Sequence, residues 1–175
     1  MRKPLRGFGP ALLFAFAAML LSCRASAQDV PAELQPPAGE HELMQVHAKG
    51  YQIYACKADG AQFNWILKAP DAQLYDKDGK LFGTHFAGPS WKATDGSQVT
   101  GKAVANVPSP DPNSVPWLLV TALSHSGTGA LAHVASIQRI NTHGGKAPTA
   151  GCDADHVGRE VRMHYSADYV FFAAQ

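Results

Sequence analysis

Eight histidines, at positions 41, 47, 85, 125, 133, 143, 156 and 164, stand in a chain of 175 residues. Imidazole can ligate a metal, carry a proton or make one directional hydrogen bond, so spacing has to choose among these. There is no H-x-H and no H-E-x-x-H. The pairs His125/His133 and His156/His164 lie eight apart, but Ser126-Gly127 and Gly158 interrupt them, so neither pair defines one continuous strand face. A lone histidine in such a setting is a surface or core hydrogen-bonding residue, and no metal ligand set and no cofactor are predicted.

Nucleophilic hydrolysis has little support either. Ser90 sits in Gly88-Pro89-Ser90-Trp91, which lacks the second glycine of G-x-S-x-G and the strand-to-helix turn a nucleophile elbow needs. Ser124, His125 and Ser126 are adjacent, and adjacent strand residues point to opposite faces. No G-x-G-x-x-G, P-loop or paired acidic motif is present, although Asp95, Asp153 and Asp155 stay open as carboxylates that a fold could bring together.

The densest constellation is Gly83-Thr84-His85-Phe86-Ala87-Gly88-Pro89-Ser90-Trp91. Its glycines and proline set a specific backbone path, His85 offers a polar tip, and Phe86 and Trp91 offer flat apolar faces, a mixture that small-molecule and sugar sites use. The plainer reading makes Phe86 and Trp91 core aromatics and has His85 capping a buried carbonyl. A second group, Arg139, His143, Gly144, Gly145 and Lys146, lies where a strand enters a long loop. Arg139 is suited to anchor a carboxylate ligand or to pair with Asp153 or Asp155 across that loop. The expected binding residues are therefore His85, Trp91, Arg139 and His143. His85 and Trp91 would border a pocket whose other wall is residues 142–152, with Arg139 at its edge.

The elements that must hold these residues read as strands. Short runs rich in Val, Ile, Tyr, Phe, Trp and Thr alternate with Gly, Pro and Asp-Gly, the punctuation of antiparallel structure. Residues 42–48 and 51–57 flank Lys49-Gly50 as a hairpin, 63–68 and 72–76 follow, and Asp78-Gly79 and Asp95-Gly96 make two further hairpin turns. Residues 117–124, 132–141 and 160–173 complete about nine strands. Tyr165, Tyr169, Phe171 and Phe172 belong to a core strand with two apolar faces. The expected fold is an all-β, antiparallel sandwich or partly closed barrel. Residues 108–116, with four prolines, and 142–158 are the long loops.

The N-terminus sets the compartment. Arg2, Lys3 and Arg6 precede the apolar run 11–21, and Ala25-Ser26-Ala27 follows it, the layout of a secretory signal peptide over residues 1–27. Leu20-Leu21-Ser22-Cys23 offers a rival in which Cys23 is acylated, the one route by which a membrane would become a partner. Cleavage after Ala27 leaves an extended leader, 28–41, and one β-domain, 42–175. Loss of four basic residues leaves 11 against 14 acidic ones and moves the formal charge from +1 to −3. That charge and the lack of a basic run argue against nucleic acid as a partner. In an oxidising compartment the surviving Cys56 and Cys152 are most simply a disulfide; neither lies in a C-x-x-C pair, so shared metal ligation is the weaker alternative.

Gly50-x-Gln52-x-Tyr54-x-Cys56, Gly83-x-His85-x-x-Gly88-Pro89-x-Trp91, Pro116-Trp117-Leu118, Arg139-x-x-Thr142-x-Gly144-Gly145-x-x-Pro148-x-x-x-Cys152 and Tyr165-x-Ala167-x-Tyr169-x-Phe171 together resemble the DUF3455 family of exported bacterial and fungal domains. The resemblance implies an extracytoplasmic all-β domain with the Cys56 and Cys152 pair, and it implies no reaction. Some fungal members carry a malate dehydrogenase label, which this chain, lacking a dinucleotide fingerprint, does not support. The expectation is an exported, periplasmic or secreted domain that binds a small molecule or cell-envelope component. The alternatives are an enzyme of unknown class, which requires a second titratable group beside His85, and a metal protein, which requires three or more convergent histidines.

Overall fold

The computed structural model describes residues 29–175, so the signal peptide expected over residues 1–27, with Cys23 and the cleavage site, lies outside the described residues. Eight strands follow in chain order: β1 Glu40–Asp59, β2 Gln62–Tyr75, β3 Leu81–Phe86, β4 Ser90–Ala93, β5 Gln98–Val107, β6 Trp117–Ser126, β7 Val134–Gly144 and β8 Glu160–Ala174. Each pairs antiparallel with its neighbour in sequence, and β8 pairs back on β1, from Glu40 opposite Ala174 to Ala55 opposite Glu160. The all-β antiparallel expectation holds, as one sheet closed on itself. Closure leaves no free sheet edge along the ring.

The structure has eight strands, and two of the expected breaks do not occur. Lys49-Gly50 is no hairpin: β1 runs straight through it, with Gly50 opposite Ala72 on β2 and Tyr165 on β8. The glycine serves close approach, since a Cβ built there would lie 2.2 Å from the Asp71 carbonyl oxygen. Likewise 63–68 and 72–76 are one strand through Pro70, tolerated beside the register shift between Ile53 and Tyr54 on its partner. The two Asp-Gly turns form as expected, with Gly79 at φ 76° and Gly96 at φ 91°. In the first, the Asp76 carboxylate accepts from the backbone N–H groups of Asp78 and Lys80, both at 2.9 Å. Residues 108–116 form a loop, while β7 continues to Gly144 and shortens the other long loop to residues 145–159.

Alternation along the strands makes two apolar surfaces. Val46, Ala48, Leu74, Trp91, Val99, Val120, Ile137, Tyr169 and Phe171 fill the interior. Trp117, Leu119, Ile140, Val170 and Phe172, alternating with interior residues, form a second cluster on the outside of β6, β7 and β8. This cluster accounts for the two apolar faces of the last strand. Residues 29–39 cover it, and here the extended-leader expectation is corrected: Ala32–Leu34 is a 3-10 turn, and Leu34 is wholly buried in the outer cluster with Val30 beside it. Gln138 Nε2 donates to the Leu34 carbonyl at 2.7 Å. Burial of a leucine contributes about 1.5–3 kcal/mol, enough to hold a short segment against the sheet.

Cys56 on β1 and Cys152 in the last long loop are joined by a disulfide, with Cα atoms 5.3 Å apart. Around it, the Cys56 N–H donates to the Arg159 carbonyl and the Gly158 N–H to the Cys56 carbonyl, each at 2.9 Å, and Trp65 Nε1 donates to the Ala150 carbonyl at 2.9 Å. The 145–159 loop is thus tied in its middle, at Ala150 and Cys152, and at the end that enters β8.

Two stability outcomes follow. Gly50→Val, which forces a side chain into the β2 backbone, should lower the unfolding free energy by about 1–3 kcal/mol or more in urea titration. Cys152→Ser should cost about 2–5 kcal/mol and speed amide exchange in residues 145–159.

Candidate functional site

His85 on β3 and Trp91 on β4 are directly opposed across the ladder, so their rings face one another. They stack with centroids 4.5 Å apart and planes 10° apart, and Tyr169 of β8 meets both edge-on, at 5.1 and 5.5 Å. His85 is 3% exposed and its Nδ1 lies 2.9 Å from the Ser90 carbonyl oxygen. A carbonyl only accepts, so Nδ1 carries the proton and Nε2 presents a lone pair. Burial pushes the His85 pKa down to about 3; the Ser90 hydrogen bond opposes this and the positive charge of Arg139 adds to it. At neutral pH this histidine is an uncharged acceptor.

Arg139 comes from β7, opposite Leu118 on β6 and Tyr169 on β8. Its Nε and one terminal nitrogen donate to the Pro116 carbonyl at 3.2 and 2.8 Å, and it is 9% exposed. Among the described residues it forms no ion pair with a carboxylate. The expected alternative pairing with Asp153 or Asp155 is not formed. Asp153 instead accepts from the Asp155 N–H at 3.0 Å and from His156 Nδ1 at 2.6 Å, which holds its carboxyl below the usual range. Tyrosines surround the guanidinium. Burial raises the pKa values of Tyr54, Tyr165 and Tyr169, and the Arg139 charge opposes the rise in each.

The third polar group is Gln52 on β1, 1% exposed, whose Nε2 has no hydrogen-bond partner. A buried amide donor left unpaired costs about 1–3 kcal/mol, so its retention calls for a reason. The sequence signal for it is the polar residue among the inward positions Ala48, Tyr54 and Cys56. That signal is weak, because a glutamine side chain carries no acid–base or nucleophilic chemistry of its own.

Gln52, His85 and Arg139 line one cavity of about 360 Å³, at the end of the ring where the β3–β4, β5–β6 and β7–β8 connections gather. Its apolar wall comes from Leu67 and Pro70 of β2, Pro89, and Leu118. Lys68 also borders it, paired outward with Glu160. The expected pocket is therefore rebuilt. Trp91, 1% exposed, lies in the core and does not line the cavity, and the far wall is β2 in place of residues 142–152. His143 is exposed and borders a shallow outer hollow with Lys49, Tyr51 and His164. The loop after β7 closes the neighbouring part of the interior. Tyr54 Oη donates to the Gly145 carbonyl at 2.7 Å, and a Cβ on Gly145 would come within 2.8 Å of Tyr165.

His85 has a backbone carbonyl as its bonded partner, so the titratable neighbour that acid–base catalysis would need is not hydrogen-bonded to it. Among the described residues no three His, Cys, Asp or Glu side chains come together as a metal site. A family model described as "Protein of unknown function (DUF3455)" matches residues 37–173, most of the chain. No curated protein and no solved structure matches.

Two measurements check this geometry. A His whose folded pKa lies below its unfolded value of about 6.5 costs nothing above that pH, and stability falls as pH drops toward the folded value. From pH 6.5 to 4.5, above the range of the lowered carboxyls, His85 should remove about 2–3 kcal/mol, and His85→Gln should flatten that slope in urea titrations. Trp91→Ala should cost about 3–5 kcal/mol as a core truncation.

Proposed function

The chain belongs to the DUF3455 family, whose description names no activity, and we propose that its β-domain is a binding module that holds a small organic molecule in the cavity at the loop-rich end of the ring. The observation that carries the reading is Arg139: a charged side chain sits nine-tenths buried beside an apolar-walled cavity, with no carboxylate among the described residues paired with it. Burying a charge is costly unless something compensates it, and a carbonyl with the Tyr169 hydroxyl is partial compensation. Gln52 lines the same wall, and its buried Nε2 is a second donor without a partner among the described residues. A cavity of this size, mostly apolar with a few convergent polar groups, has the make-up of small-molecule sites in general.

The module acts outside the cytoplasm. The signal-like layout of residues 1–27 supports export to the periplasm or beyond, and the Cys56–Cys152 disulfide is consistent with an oxidising compartment. A binding role also fits a site whose histidine is held neutral and stacked, where a catalytic base would be poised near the working pH.

A fragment library screened by chemical-shift mapping tests the reading. Hits should perturb Gln52, His85, Leu118 and Arg139 as a group. Ala103, an exposed residue at the cavity rim, tolerates substitution within roughly 0.5 kcal/mol as surface positions do, so Ala103→Trp should block the hits while the melting temperature stays near that of the parent. Hits that bind the tryptophan variant unchanged, or that shift only residues elsewhere, would remove the cavity as the site.

A further inference from the structure

The same cavity carries information about ligand class, an inference that rests on the binding role proposed above. Its polar groups divide unequally between donors and acceptors. The guanidinium of Arg139 gives Nε and one terminal nitrogen to the Pro116 carbonyl and a further hydrogen bond to the Tyr169 hydroxyl, and a guanidinium has five N–H donors, so donors still remain. Gln52 Nε2 is a buried donor with no partner. His85 supplies the complementary feature: Nδ1–H is committed to the Ser90 carbonyl, so the ring's other nitrogen is an acceptor. The remaining wall is apolar, with Leu67, Pro70, Pro89 and Leu118. The one other cation at the rim, Lys68, is already paired with Glu160.

From this inventory we infer that the ligand is a small, largely apolar monocarboxylate bearing one O–H or N–H donor, its carboxylate on Arg139 beside Gln52 and its donor on His85 Nε2. Each feature excludes a neighbour in chemical space. A neutral amide leaves the guanidinium unneutralised. A dicarboxylate brings a second negative charge with no unpaired cation to meet it, which is costly in an apolar-walled site. A carboxylate without a donor leaves His85 Nε2 unsatisfied, and sites built to bond a ligand hydroxyl reject analogues lacking it.

Titration calorimetry at pH 7 on the disulfide-bonded protein, with benzoate, the three hydroxybenzoates, benzamide and isophthalate, tests the class. At least one hydroxybenzoate should bind about tenfold or more tighter than benzoate, benzamide and isophthalate, the range expected for one hydrogen bond to a charged or buried group. Arg139→Gln should weaken that hydroxybenzoate by about tenfold or more and leave benzamide unchanged. Should that variant fail to fold, Gln52→Leu, nearly isosteric, should weaken the same ligand by about three- to tenfold. Benzamide or isophthalate binding as tightly as every hydroxybenzoate would overturn the class while leaving the cavity a binding site. A panel in which no member binds would overturn the class as well, and the binding role itself is then decided separately by the fragment hits and Ala103→Trp.

Discussion

Pairing of β8 with β1 is the constraint on which the rest of the structure depends. These two strands come from opposite ends of the described chain, and their long ladder turns a meander of hairpins into a ring. Closure brings the inward residues of all eight strands into one enclosed space, and its tightness shows where backbones approach too closely for a side chain, as at Gly50 against Asp71. A ring of eight strands is near the size at which side chains alone fill the interior. Here aromatic rings do the filling: Trp91, Tyr169 and Phe171 meet at the centre, with His85 stacked on the first of them.

The disulfide reinforces the same closure. Cys56 lies near the end of the β1 segment that pairs with β8, and Cys152 lies in the loop that delivers the chain into β8. A bridge across 96 residues of sequence restrains the unfolded chain at the junction where the ring must shut. The N-terminal segment does complementary work on the outside, where Leu34 covers apolar residues of β6, β7 and β8 that a plain ring would leave to solvent. Interior and exterior clusters therefore meet along β7 and β8, and Gln138, facing outward next to the inward Arg139, ties the covering segment to the sheet.

Against this apolar filling, the polar groups of one end stand out. Arg139, Gln52 and His85 come from three strands far apart in sequence and converge on one cavity. The tyrosines around the guanidinium stay neutral, because burial raises their pKa values. Among the described residues the positive charge thus has dipoles and a carbonyl about it and no carboxylate paired with it.

The sequence by itself determined the strand content, the two Asp-Gly hairpins and the proline loop, because each rests on local backbone chemistry, and it pointed to Cys56 and Cys152 as the pair among its three cysteines. It also marked His85 and Arg139, since a histidine between glycines and an arginine at a strand end are conspicuous wherever the strands go. What only the tertiary structure decided was which way those residues face and what they meet. Lys49-Gly50 looks like a turn from its residues, yet Gly50 is small because β2 passes against it, a contact 22 positions away in sequence. Trp91 looks like a binding surface, yet ring closure places it beneath His85 and Tyr169. Gln52 shows in sequence only as one polar residue among inward positions, and its amide gains meaning when β1, β3 and β7 share one interior. Local propensity acts over a few residues, whereas a site assembled across a closed sheet depends on register between distant strands, which only the folded chain fixes.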